Sequence, residues 1–465
     1  MKKASLALAV AAGTLGLTLG NVANAAFIED STAKLDLRNY YFNNDVRDSD
    51  TASNKEWGQA FQLNLQSGFT EGTIGVGVDA IGLLGVRLDG GGRAGKPGQS
   101  RTPASTAGNG TLFPADSDNS AVDEFSSLGL TGKIRFSKTV AHVGTLQPKL
   151  PVVTFNDGRL VPQTFEGAQI TSNEIDNLTV VLGQLEHAKG RASSNSESLS
   201  VAGARRPDGT PVGTDAADSN KFYYGGADWK INKDLLAQYY YGNLDDFYKQ
   251  HFLGLTHTLA IGAGTLKSDL RYFDTSSDGK NGSTAGRADG YVGSGYYGRN
   301  GAGNAITAGE IDNRTWSAFF TYSLEGHALS AGYQQVSGDS NFIQLNQGSI
   351  PGQGGATTYL ITDRQITNFG RAGERTWITQ YGYDFGKIGV PGLTANVLYM
   401  KGDNIKAVGG DQKEWERDLT VSYVVQQGAA KGLGFAWRNA SLRSETSSGD
   451  VDQNRLIVSY SIPLL

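Results

Sequence analysis

From Ala33 to Leu465 the chain alternates apolar side chains with polar or small ones in stretches of about ten residues, a period of two that belongs to strands and not to helices. In the last stretch Leu456, Val458, Tyr460, Ile462 and Leu464 share one face, and Arg455, Ser459 and Ser461 share the other. In the first, Leu35, Leu37 and Tyr41 oppose Lys34, Asp36, Arg38 and Tyr40. Phe61, Leu63 and Leu65 stand against Gln62, Asn64 and Gln66, and Leu128, Leu130, Ile134 and Phe136 against Thr131, Lys133 and Arg135. One face suits lipid and the other water. Eighteen such stretches run from 33–42 to 453–464. Tight turns such as Asn232-Lys233 and Glu325-Gly326 alternate with longer connections, up to the segment from Leu84 to Phe125. That asymmetry is the mark of a membrane barrel, and an even count returns both termini to one side. An open strand edge in hydrocarbon would leave each backbone group unpaired at a cost of several kcal/mol, so the sheet must close. The expected fold is all-β: a transmembrane antiparallel β-barrel of 18 strands, wide enough for an aqueous lumen. The clusters Tyr239-Tyr240-Tyr241 and Tyr381 with Tyr383 fit interfacial aromatic girdles.

The N-terminus agrees with that address. Lys2 and Lys3 precede an apolar stretch from Ala4 to Leu19, and Ala23-Asn24-Ala25 offers a small-residue cleavage pattern. The expectation is a signal peptide over 1–25 and a single barrel domain over 26–465. Cysteine is absent from an exported chain, which excludes thiol, iron-sulfur and zinc-cysteine chemistry; no cofactor or metal is expected. Without Lys2 and Lys3 the chain holds 39 basic against 46 acidic groups, so it has no basic footprint for nucleic acid.

Most long connections are rich in Gly, Ser, Asn and Asp and read as solvated surface. The loop over about 147–165 is different: Leu150, Val152, Val153, Phe155, Leu160, Val161 and Phe165 make it too apolar for water. It is expected to fold into the barrel and narrow the channel. Arg159 follows its Asn156-Asp157-Gly158 turn, where its guanidinium either meets a solute carboxylate as a planar fork or ties the loop to an acidic wall residue. Strand parity sends Lys34, Arg38, Lys133, Arg135, Lys267, Arg271, Arg438 and Arg455 to the lumen, since a lipid-facing cation at mid-bilayer costs roughly 2–4 kcal/mol. There they line water or pair with Asp36, Asp79 and Asp269. A row of cations along a narrow bore favours small anions. The expected substrate path is Arg38, Lys133, Arg135, Arg159, Arg271, Arg438 and Arg455.

Seven spaced segments carry a resemblance: FIED at 27–30, KEWG at 55–58, GFTEG at 68–72, GTLQPKL at 144–150, DGRLVPQTF at 157–165, KEWERD at 413–418 and NRLIVSY at 454–460. Together they resemble the OprD family of pseudomonad porins along the whole mature chain. The resemblance implies an 18-stranded barrel, an inward third loop with a seventh beside it, and a basic ladder guiding carboxylate-bearing nutrients. Gln380, Leu398 and Ala436 stand where the basic-amino-acid member of the family carries Arg. The text around Arg159 and the segment EHAKGRASS at 186–194 look more like the OpdK branch, which takes aromatic carboxylates. The function so implied is passive, substrate-selective uptake of small carboxylates, with aromatic monocarboxylates favoured over basic amino acids or dipeptides. The expected partners are outer-membrane lipid and lipopolysaccharide around the barrel and small carboxylate solutes within it, with the chain a monomer or weak homotrimer.

Two other classes fit less well. A barrel enzyme needs a nucleophile and base within reach of each other, and the five histidines, at 142, 187, 251, 257 and 327, form no compact motif. A plugged adhesive barrel would need a plug domain, yet strand signals begin within ten residues of the cleavage site. The G-x-G-x-x-A text at 75–80 lies mid-strand with no helix after it, and reflects glycine abundance.

Overall fold

The computed structural model describes residues 27–47, 53–92, 112–118, 120–201, 217–296, 309–346, 357–407, 409–446 and 449–465. The expected signal peptide lies outside them. Eighteen long strands form the wall. The first nine are β1 (Thr32–Val46), β2 (Asn54–Gln66), β3 (Ile74–Asp89), β4 (Glu124–Phe136), β5 (Thr139–Leu146), β6 (Thr164–Ser172), β7 (Leu178–Lys189), β8 (Phe222–Asn232) and β9 (Leu235–Leu244). The others are β10 (Tyr248–Ile261), β11 (Gly264–Ser277), β12 (Asp312–Leu324), β13 (His327–Gly338), β14 (Arg375–Asp384), β15 (Leu393–Ile405), β16 (Gln412–Val424), β17 (Gly434–Ser444) and β18 (Val451–Pro463). Each pairs antiparallel with its sequence neighbours, and β1 pairs with β18 with Leu37 opposite Tyr460, so the sheet has no free edge. A short strand, Ser196–Ser198, extends β7 at the rim.

At the end that carries the termini, β12 and β13 are joined by two residues, Glu325 at φ +47° and Gly326 at φ +91°. Two successive positive φ values make a type I′ turn, whose twist matches that of the strands it joins. The long connections leave from the opposite, outer end. Several strands run beyond the alternating stretches there; β3 continues to Asp89, because its pairing with β2 reaches Trp57 opposite Asp89.

The apolar rows face outward. Leu128 is 73% exposed, Leu329 62% and Leu182 56%, values tolerable only against acyl chains. Tyr239 and Tyr241 lie on this face beside His251, but Tyr240 between them points inward, where its hydroxyl donates to Asp228 at 3.1 Å. The girdle expected of all three therefore holds only two, as a period of two requires. One outward row is polar: Trp57 Nε1 donates to Asn39 Oδ1 at 2.8 Å and Asn39 Nδ2 to Gln59 Oε1 at 3.2 Å. Away from water these groups satisfy one another.

Inside the barrel, packing is concentrated where loops enter. One apolar cluster joins Val152 and Val153 to Leu185, Phe222, Tyr240 and Phe252 on the wall. A second joins Leu160 and Val161 to Phe42, Ala60 and Leu83. The third sets Ile361 and Phe369 against Ile378, Leu398 and Met400.

Candidate functional site

The loop between β5 and β6 crosses the lumen as its composition requires. Lys149–Leu150 pairs with Val153–Thr154 in a small hairpin, and Asn156 and Gln163 close the next turn through Gln163 N to Asn156 O at 2.8 Å and Asn156 N to Gln163 Oε1 at 3.1 Å. The Asn156 side chain then accepts from Gly158 N at 2.8 Å, the local bond that Asn favours in tight turns. Val152, Val153, Leu160 and Val161 are all buried, and at about 1.5–3 kcal/mol for each large aliphatic their burial holds the loop against opposite walls. Gly58 on β2 makes room for it: a Cβ there would lie 2.6 Å from Phe113 and 2.8 Å from Leu160.

Two contacts fix the tip. Arg38 forks onto the Asp157 carboxylate at 2.7 and 3.0 Å, and Tyr40 Oη donates to Gly158 O at 3.1 Å. Arg159 is thereby carried to the middle of the loop with its guanidinium 4.9 Å above the Phe42 ring. Arg455 of β18 approaches the same ring at 5.9 Å, and Arg191, from the segment after β7, donates to Asn156 Oδ1 at 3.1 Å. Among the described residues none of these three guanidiniums has a carboxylate within ion-pair distance, and the Nε atoms of Arg159 and Arg191 are buried without a hydrogen-bond partner. Burial, followed by the neighbouring Arg455 and Arg191 charges, holds the Arg159 pKa well below the usual arginine range. Burial and the Arg455 charge push Arg191 down to about 10. Both shifts follow chiefly from burial; Glu56 acts on Arg159, and Asp363 and Asp157 on Arg191, from beyond ion-pair distance.

The connection between β13 and β14 forms the facing side and meets the first loop where Thr154 bridges Thr357. Glu416 on the wall accepts the backbone N–H groups of Gln365, Ile366 and Thr367 at 3.2, 2.9 and 3.0 Å. Gln334 Nε2 reaches Thr362 Oγ1 at 2.7 Å and Phe369 O at 3.0 Å, and Arg371 pairs with Glu414 at 2.7 Å. Arg455 Nη2 donates to Gln365 O, and so touches both sides of the narrowing. Asp363 lies half-buried in this loop; desolvation raises its pKa, and Thr358, Arg364 and Arg191 pull it back only in part.

The sequence-derived path residues divide. Arg159 and Arg455 meet at the narrowing, and Arg438 is exposed to the lumen directly opposite Arg455 in register. Arg38 serves as the tether for the loop. Arg271 forks onto Asp269 at 2.9 and 2.6 Å and lies 4.0 Å from the Tyr359 ring, holding the second loop. Lys133 is buried in the space left by Gly77, paired with Asp79 at 2.6 Å and donating to Ser67 O at 2.6 Å, while Arg135 lies on Phe69 at 4.5 Å. Those two stand near the periplasmic turn, away from the narrowing. Lys34 pairs with Asp36 at 2.9 Å, so each of the lumen acids named from parity has a basic partner. Arg191, Arg364 and Asp363 were not singled out by parity, because they sit on loops; only the segment 186–194 around Arg191 drew notice.

A sequence profile described as outer membrane porin, OprD family, matches residues 25–464. The chain belongs to the OprD family. Its relatives include the porin-like protein GalP of Pseudomonas putida, 33% identical over 94% of this chain and 93% of that protein. The crystal structure of Pseudomonas aeruginosa OccK8 (OprE) is 57% identical and covers 95% of this chain and 100% of its own, with a TM-score of 0.84. That of P. aeruginosa OpdK with vanillate is 33% identical over 94% and 100%, with a TM-score of 0.77. The OpdK branch expected from loop text is therefore not singled out: two short segments agreed with it, whereas identity over the whole chain is higher to OccK8. As an OprD-family channel the protein lies in the Gram-negative outer membrane and moves solutes without chemical change.

Proposed function

We propose that the chain is a channel for passive uptake of small monocarboxylates whose body is aromatic or otherwise apolar. The reading rests on the Arg159, Arg191 and Arg455 cluster, whose guanidiniums form no ion pair among the described residues and gather beside the Phe42 ring. A carboxylate entering the narrowing gains charge-assisted hydrogen bonds from these guanidiniums, which the buried Phe42 ring supports from beneath. Arg438, exposed beside Arg455 at the same level of the wall, gives the anion a solvated partner from which it is released. The vanillate bound by OpdK is a solute of this class. On the far wall Leu398, Ile378 and Met400 are buried beneath Ile361 and Phe369, so that stretch of wall offers no cation to a more highly charged solute. A basic amino acid would also need a free carboxylate along the path, and Asp157 and Asp269 are engaged by Arg38 and Arg271. Export proceeds with removal of residues 1–25.

The test is single-channel recording in planar bilayers with benzoate, acetate and arginine on the outer side. Benzoate is expected to block or transit at concentrations about tenfold below acetate, a difference of about 1.4 kcal/mol. Arg159→Ala should abolish that preference, and equal behaviour of wild type and variant toward benzoate would remove the cluster from the path.

A further inference from the structure

On the outer surface, four adjacent strands place Trp377, Lys401, Trp415 and Arg443 in one cross-strand row near their outer ends. One step toward the bilayer, Tyr399 and Arg417 stand opposite each other. Strand parity points all six away from the lumen. The Tyr399 and Trp415 rings stack at 5.9 Å and 30°, forming a floor between the two cations. Lys401 and Arg417 are both exposed, and among the described residues neither has a carboxylate within ion-pair distance; Arg417 Nη2 instead donates to Asn439 Oδ1 at 3.0 Å and Ser441 Oγ at 3.1 Å. Arg443, by contrast, is paired with Asp452 at 3.0 Å, and Asp403, next on this face, stands opposite Arg375.

Depth decides what can reach these cations. Below them the same face carries Val397, 42% exposed, which belongs to the hydrocarbon, and then Tyr381, whose hydroxyl meets His327 at the inner end of the wall. Tryptophans flanking Lys401 mark the level of the headgroups. As diagonal cross-strand neighbours, Lys401 and Arg417 have Cβ atoms within about 7–8 Å, a span that one tetrahedral oxyanion bridges. Elsewhere on the barrel the outward cations at outer strand ends stand singly: Lys55 faces Asn43, Lys249 lies between Asn243 and Ser276, and Asp274 on β11 answers Arg314. The charge complementarity is therefore local and faces the outer leaflet.

We infer that the outward face of β14 to β17 binds a phosphorylated glycolipid of the outer leaflet, its phosphate held between Lys401 and Arg417 above the Tyr399–Trp415 floor and its acyl chains lying along the strands below. Such a lipid would anchor the wall directly behind the loop that carries Asp363, since β14 and β16 hold that loop from the inside.

Native mass spectrometry of the detergent-purified mature barrel, supplied with bisphosphorylated or dephosphorylated lipid A, tests this. The wild type should retain the bisphosphorylated form at least tenfold better, and K401Q/R417Q should lose that excess while keeping wild-type single-channel conductance, because both side chains lie outside the lumen. Should the double variant fail to insert, K401Q alone supplies the comparison, with a smaller expected loss. Equal retention of the two lipids by the wild type, unchanged retention by the variant, or masses of two or three barrels in place of lipid adducts would overturn the assignment.

Discussion

Arg38 grips Asp157 through two nitrogens, at 2.7 and 3.0 Å, and the Nη1 of the same guanidinium also takes the carbonyl oxygen of Arg159 at 2.8 Å. One wall arginine thus anchors the backbone of a loop arginine, whose own guanidinium donates to Gly158 O at 2.9 Å and has no ion pair among the described residues. Asp157 is 45% exposed, so solvent screens the pair and its contribution is at most about 1 kcal/mol. Asp157→Asn should therefore leave the barrel's melting temperature within a few degrees of wild type but increase open-channel current noise severalfold as the tip loosens. Noise equal to wild type in bilayer recordings would show that the apolar anchors alone immobilise the loop.

Asp363 gives the narrowing a dependence on pH. Its folded pKa is raised by burial, so below neutrality the folded carboxyl binds a proton before the unfolded one does. Stability from this group accordingly falls as pH rises through the interval between the two values, and its negative charge beside Arg191 and Arg364 disappears as pH falls through the raised value. Anion preference, read as the chloride to potassium permeability ratio, should increase between pH 7 and pH 4. Asp363→Asn should show the higher ratio already at pH 7, and a wild-type ratio at pH 7 in that variant would contradict this account.

Gly58 gauges how tightly the constriction loop is packed. Alanine at this position brings a methyl within 3 Å of Phe113 and Leu160. Overpacking of this kind costs about 1–3 kcal/mol. Gly58→Ala should lower the midpoint of denaturant unfolding in detergent and, where the loop yields instead, change conductance; a variant unaltered in both would mean that the Phe113 ring simply turns aside.

The outward polar row offers a test of satisfaction in lipid. Asn39→Ala removes the acceptor of Trp57 Nε1 and a donor to Gln59, leaving both groups facing hydrocarbon. The expected loss is about 1–3 kcal/mol per orphaned group. Asn39→Leu combined with Gln59→Leu should recover most of it, as measured by reversible unfolding in lipid vesicles.

The strands were legible because lipid and water impose opposite demands on alternate residues, and Leu128 or Ser461 can satisfy only one of them. The same rule separates Tyr240 from Tyr239 and Tyr241, whereas their shared aromatic composition alone would group them. Parity also says which face a cation occupies, not how high it stands: Lys133 is inward, yet Asp79 and Ser67 hold it by the periplasmic turn. Arg159 could be located because its loop is too greasy for any other place. Arg191 and Arg364 could not, since their loops carry no repeating pattern and their positions depend on Asn156, Glu416 and other partners distant in sequence.

The join between β1 and β18 brings Asp36 against Ser461, groups 425 residues apart in the chain. No shorter piece of the protein can supply that contact, so the wall stays incomplete until its final segment has been synthesised and delivered. Loop-closure entropy for so distant a pair is lost late and in one step. A chain shortened by only its last dozen residues would retain nearly every local pairing and still present two raw edges to the bilayer, which makes the C-terminal strand the timekeeper of assembly.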